Sequence, residues 1–220
     1  MNWPLIELHD VHARTDRGDY IFTGLNFRLD PGQSAVITGP PGSGKTTIAE
    51  LLVGLRFPAE GTVEMFGETI RKGRNRRIRK IRRHIGGVGG PFGLVPTLTV
   101  AENVLLPLVV TGDRPKSQKE RLTKILTEFS LLKVSHQYPS SLTRVENTLV
   151  QIARASIANQ PLIIIDEPSA GLDAKTYLQV CEYLAKVSLS GVSMLILAWE
   201  PPPQEFPNCT RYNIVDRKLV

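Results

Sequence analysis

Apolar residues recur along the chain with two different periods. Tyr20 to Leu29 alternates apolar and polar positions, which predicts a strand with one buried face, and Leu5 to Leu8 reads as a shorter strand before it. A Pro31-Gly32 turn leads into a short apolar strand, Ser34 to Thr38, then a glycine-rich loop and a helix from about Lys45 to Leu55. Gly61 to Phe66 is a further strand, ended by Gly67. A short strand over Ile85 to Val88 runs into five glycines (86, 87, 89, 90 and 93) and two prolines, Pro91 and Pro96, which predict a flexible segment. Helical spacing then dominates over Val100 to Val110, Ser117 to Leu132 and Leu142 to Ala158. Leu162 to Ile165 and Val192 to Ala198 are continuous apolar runs, the mark of strands buried on both faces, with a helix over Ala174 to Val187 between them. The tail RYNIVDRKLV predicts a closing hairpin. Apolar strands alternating with helices predict an α/β fold with a mostly parallel sheet.

At 220 residues the chain is long enough for one domain, or two closely joined lobes, with a core that needs no disulfide or metal. Its two cysteines, Cys181 and Cys209, suggest no disulfide framework, which favours a reducing, cytoplasmic compartment. Acids come too early in MNWPLIELHD for a secretory leader, and no apolar stretch approaches a membrane span. Work at a membrane would therefore be done from its surface, through a partner. The net charge of +6 is concentrated in RKGRNRRIRKIRRH, residues 71–84, which holds nine cations and no acid. Ile78, Ile81 and Ile85 at helical spacing predict a helix with one face inward and solvated arginines outside. An anionic partner, nucleic acid or anionic lipid, is the other reading. The absence of interleaved aromatic residues argues against specific nucleic-acid binding.

Two stretches carry chemistry. GPPGSGKTT comprises Gly39, Pro40, Pro41, Gly42, Ser43, Gly44, Lys45, Thr46 and Thr47, and fits G-x-x-x-x-G-K-[ST] between a strand and a helix. Glycines let the backbone curl until its N–H groups face phosphate oxygens, and the following helix adds the positive end of its dipole. Lys45 would reach the β and γ phosphates, and the Thr46 hydroxyl would face magnesium. The second stretch, IIIDEPSAGLD, ends a buried strand in Asp166 and Glu167. Asp166 is placed to hold the metal and Glu167 to polarise an attacking water as general base.

With both stretches in view, the chain resembles the nucleotide-binding subunit of an ABC transporter almost end to end. GPPGSGKTT resembles Walker A, LIIIDEPSAGLD resembles Walker B with the D-loop, and FGLVPTLTVAENVLLPL resembles the segment that touches the membrane subunit. The wording is similar to that of the lipoprotein-release, macrolide-export and cell-division branch. The resemblance implies a P-loop NTPase of the ABC type with ATP and Mg2+ as cofactors. It implies a RecA-like core with an N-terminal antiparallel β lobe (about 1–89 and 157–220) and an inserted helical lobe (about 90–156). It also implies transmembrane permease partners, a second cassette of the same or a different chain, and a peripheral position on the cytoplasmic face of the inner (plasma) membrane. Each ATP would be held by Walker A of one chain and the signature of the other, where Thr143 keeps a hydroxyl.

Four features of the family pattern are altered. The L-S-G-G-Q signature falls on Leu142, Thr143, Arg144, Val145 and Glu146, so Arg144 and Val145 replace two glycines. The Q-loop glutamine falls on Gly90, the switch histidine on Trp199, and the adenine-stacking aromatic near Thr15, with Tyr20 a candidate substitute. The leading expectation is an ATP-driven transporter or mechanotransmission subunit with slow turnover. A regulatory or structural subunit that binds ATP and barely hydrolyses it is the alternative, and a soluble protein acting on nucleic acid or ribosomes the weakest. In a homodimer, Gly90→Gln with Trp199→His is expected to restore little until Arg144→Gly and Val145→Gly are added.

Overall fold

The computed structural model describes residues 3–220 and contains two sheets. The first is antiparallel, in the order β2-β1-β4-β5, from β1 (Ile6–Arg14), β2 (Tyr20–Leu29), β4 (Glu60–Met65) and β5 (Glu68–Thr69). The second has six strands. β3 (Ser34–Thr38), β6 (Ile85–Val88), β7 (Leu162–Asp166), β8 (Ser193–Ala198) and β9 (Cys209–Val215) pair in parallel. β10 (Lys218–Leu219) returns antiparallel on β9, giving the order β10-β9-β3-β8-β7-β6.

The unbroken apolar runs of β3, β7 and β8 follow from burial on both faces. Ile37, Ile164, Leu195 and Leu197 point to one core, shared with α1 (Lys45–Leu52) and the inner face of the antiparallel sheet. Val36, Ile163, Ile165, Met194 and Ile196 point to the other, beneath α5 (Arg144–Ser156) and α6 (Ala174–Leu189). A third cluster joins α3 (Val100–Thr111), α4 (Pro115–Glu128) and α5 through Val104, Leu108, Ile125, Leu126, Val150 and Ala153. α5 therefore belongs to two cores, and anything fixed to it is tied to both.

Several expected boundaries shift for local reasons. β1 runs on past Leu8 because the break in alternation at His9-Asp10 is a bulge, with Asp10 at φ 47°. Gly61 lies beneath it, and a Cβ there would come 2.5 Å from the His9 carbonyl oxygen, so backbone meets backbone. α1 stops at Leu52 because Gly54, at φ 65°, packs against Ile78. α4 starts at Pro115, whose missing N–H costs nothing in the first turn, and ends before Ser130 at φ 56°. The basic stretch forms α2 (Asn75–Arg82). Ile78 and Ile81 are buried, Arg77 pairs with Glu68 at 2.8 Å, and the other arginines of the helix are exposed. No helix among the described residues is long and apolar enough to cross a membrane.

Candidate functional site

The loop from Gly39 to Gly44 joins the end of β3 to α1, and two of its glycines take left-handed backbone angles that favour glycine. Gly42 and Gly44 adopt φ 81° and 99°. A Cβ on Gly44 would come 2.5 Å from the Phe22 ring of β2, so this glycine lets the β lobe close on the loop. Lys45 is 5% exposed and folds back over the loop, donating to the carbonyl oxygens of Gly39 (2.7 Å) and Pro40 (3.2 Å). Its ammonium also lies 3.2 Å from Glu167 Oε1.

β7 delivers the two acids. Thr46 Oγ1 donates to Asp166 Oδ2 at 2.7 Å, joining the first turn of α1 to the strand end 120 residues away. Asp166 Oδ1 and Ser43 Oγ are buried without a partner, a costly state that a ligand would relieve. Burial raises the Asp166 pKa, opposed in part by the Thr46 hydrogen bond. Glu167 sits at φ 54°, strained for a side chain with a Cβ. Its other carboxylate oxygen accepts from the Trp199 backbone N–H at 3.2 Å. The next residue past β8 thus helps aim the glutamate, while the Trp199 indole is 61% exposed.

The glycine run from Gly86 in β6 to Gly90 is a close-packed seam and not the flexible segment expected. A Cβ on Gly86 would overlap the Ala155 carbonyl oxygen of α5, and one on Gly89 would overlap the Asp166 carbonyl oxygen. Gly90, at φ 41°, lies against the Asp166 carboxylate itself, where a Cβ would overlap Oδ2 and come 3.0 Å from Cγ. α5 fastens the seam. Gly89 N–H donates to Gln151 Oε1 at 2.8 Å, and Arg154 donates to the carbonyls of Gly93 (2.9 Å) and Phe92. A cavity of about 280 Å³ remains between them, bounded by Thr46, Asp166, Glu167, Gly89, Gly90 and Gln151.

The family model described as ABC transporter matches residues 22–170. The chain belongs to the ABC transporter family. This cassette is 30% identical over 192 residues to the cell division ATP-binding protein FtsE of Bacillus subtilis, covering 87% of this chain and 84% of that one. It is 30% identical over 201 residues to the lipoprotein-releasing system ATP-binding protein LolD 1 of Rhodopirellula baltica, covering 91% and 88%. A solved dimeric structure of the cassette MJ0796, in a post-hydrolysis state bound to ADP and Pi, superposes with a TM-score of 0.84 at 26% identity, covering 97% and 96%. The chain is thus an ATP-binding subunit of the ABC transporter type with the corresponding P-loop fold.

The cassette brings the Walker A residues, Asp166 and Glu167 into one site. Thr143 lies apart from them. It caps α5, accepting from Glu146 N–H (3.2 Å) while its own N–H and hydroxyl donate to the Glu146 carboxylate (2.8 Å each). Arg144 is exposed, with its Cβ side turned to Gly171. Thr15 falls in an exposed turn, its N–H donating to Asp19 O at 2.8 Å. Tyr20 has one ring face covered by the Arg14 guanidinium, 4.1 Å from the centroid. Sequence reasoning missed Gln151 and Arg154 as neighbours of the site. The available signal was Asn147 and Gln151, polar side chains four residues apart on one side of an amphipathic helix.

Proposed function

We propose that this cassette binds ATP with magnesium at residues 39–47, pairs with a second cassette, and drives a transmembrane partner while hydrolysing slowly. The observation that carries the reading is the Thr46–Asp166 contact, with Asp166 Oδ1 buried and unpartnered beside it. Thr46 Oγ1 and Asp166 would hold Mg2+, which when bound supplies charge neutralisation at the β and γ phosphates. No group of three His, Cys, Asp or Glu residues clusters among the described residues. Two protein oxygens completed by phosphate and water suit magnesium in particular.

Lys45 exchanges the Gly39 and Pro40 carbonyls and Glu167 for the β and γ phosphates, without moving to a new element. The N–H groups of Gly42 to Thr47 bind phosphate oxygens at the start of α1. Release of Lys45 frees the Glu167 carboxylate to take a proton from water as general base. Thr143 serves the facing cassette's nucleotide, across a dimer of the kind named for MJ0796. Residues 1–89 and 157–220 act as core and β lobe, and 90–156 as the helical lobe. The cassette sits on the cytoplasmic face of the membrane, with the α2 arginines toward anionic lipid.

Slow turnover is supported by Trp199, whose indole can donate one hydrogen bond but cannot accept a proton, and by side chains at Arg144 and Val145. These same positions favour the second reading, a subunit that binds ATP mainly to close the dimer. Lys45→Ala tests the shared premise. Calorimetry with ATP and magnesium should show affinity falling by at least about tenfold, from loss of a charged phosphate contact. Unchanged affinity would remove the site from residues 39–47.

A further inference from the structure

We infer that Gln151 of α5 donates a hydrogen bond to the terminal phosphate of bound ATP, in place of the side chain absent at Gly90. This rests on the reading of residues 39–47 as the ATP site. Glycines at 89 and 90 bring the loop backbone flat against Asp166, and no side chain from the loop fits between them. The amide of Gln151, from another element, enters the resulting space. Oε1 accepts from Gly89 N–H at 2.8 Å, and Nε2 donates to Asn147 Oδ1 at 2.7 Å. An amide nitrogen has two hydrogens. The second has no acceptor among the described residues, and Gln151 bounds the same cavity as Thr46, Asp166 and Glu167.

Two features set this apart from simple bracing of the loop. Gly89 N–H needs only an acceptor, which a carboxylate or a shorter amide could supply. Asn147, one turn earlier on α5, orients the amide so that its donor side is fixed. The arrangement also ties nucleotide state to α5 without an intermediary. Arg154, one turn onward from Gln151, holds the Phe92 and Gly93 carbonyls, so the donor and the loop it braces are carried on one helix.

The test compares ATP with ADP, since only ATP carries the phosphate in question. Gln151→Glu keeps the side-chain length and the acceptor for Gly89 N–H, so the loop stays braced. It replaces the donor with a negative charge. Calorimetry on the full chain should show ATP affinity reduced roughly tenfold or more and ADP affinity within about twofold of wild type. Gln151→Leu should lose ATP affinity in the same selective way, by a smaller factor. Melting curves identify any variant that has not folded, and Gln151→Glu remains decisive if Gln151→Leu fails. ATP and ADP affinities that stay level, or fall together, would overturn the assignment and leave Gln151 as a brace. Lys45→Ala, run alongside, should weaken both nucleotides. If it weakens neither, the ATP-site reading itself fails, a result distinct from failure at Gln151 alone.

Discussion

Replacing Gly90 by glutamine should damage the site and not repair it. The family pattern places a glutamine at this position, which makes Gly90→Gln the obvious restoring substitution. The geometry forbids it. Gly90 lies at φ 41°, where a residue with a Cβ costs about 1–2 kcal/mol. The new Cβ would overlap Asp166 Oδ2, and the Asp166 side chain is pinned by Thr46 at 2.7 Å in a site 3% exposed. Moving it breaks a charged hydrogen bond worth about 1.5–3 kcal/mol. The combined cost of about 2.5–5 kcal/mol corresponds to a melting point lower by roughly 5–20 °C for a chain of this size. Thermal denaturation of Gly90→Gln and Gly90→Ala against wild type is the assay, with ATP and magnesium affinity measured on the same samples. Both variants should melt lower and bind more weakly. A Gly90→Gln protein that melts within about 2 °C of wild type and binds ATP more tightly would refute the steric argument.

Asp166→Asn should stabilise the nucleotide-free protein while abolishing the magnesium dependence of ATP binding. Burial raises the folded-state pKa of Asp166, so the folded chain holds a proton that the unfolded chain releases, and stability falls as pH rises above the ordinary carboxylate range. The variant's advantage, about 2–4 °C per kcal/mol recovered, should therefore be present at neutral pH and vanish in acid; a constant difference at all pH values would contradict the assignment. ATP and GTP should bind within about tenfold of each other, because Thr15 offers no ring, Arg14 covers one face of Tyr20, and lost stacking is worth about 1–3 kcal/mol. A ratio above about a hundredfold would require another base platform. Vesicle flotation should show preference for anionic over neutral lipid that fades with salt, carried by the arginines of α2, at about 1 kcal/mol for each cation at the surface. Equal binding to both would leave α2 as a solvated face.

Much of this architecture could be read from the sequence, for reasons visible in particular residues. The doubly buried strands announce themselves as LIII and SMLILA, and the phosphate loop is a contiguous motif between two recognisable elements. β9 was less legible. As part of a predicted hairpin it looked peripheral, yet it pairs in parallel with β3 beside the phosphate loop. Its side chains are mostly exposed, so no apolar run marked it. The glycine seam was misread because composition cannot distinguish a glycine that moves from one that must fit. Gly86, Gly89 and Gly90 are demanded by Ala155 and Asp166, residues 69 to 77 positions away. Gln151 was hidden for the same reason: its partner, Gly89, lies 62 residues earlier.

The proposed ATP site combines a general base, Glu167, with an incomplete set of transition-state contacts. Steady-state ATPase measurement on the cassette with its membrane partner, paired with Glu167→Gln, tests it most directly. The median enzyme turns over at about 10 per second, and loss of one preorganised contact costs about 10²–10³ in rate. The account predicts turnover below about 0.1 per second, abolished by Glu167→Gln with ATP binding retained. Turnover of tens per second, or activity indifferent to Glu167→Gln, would contradict it.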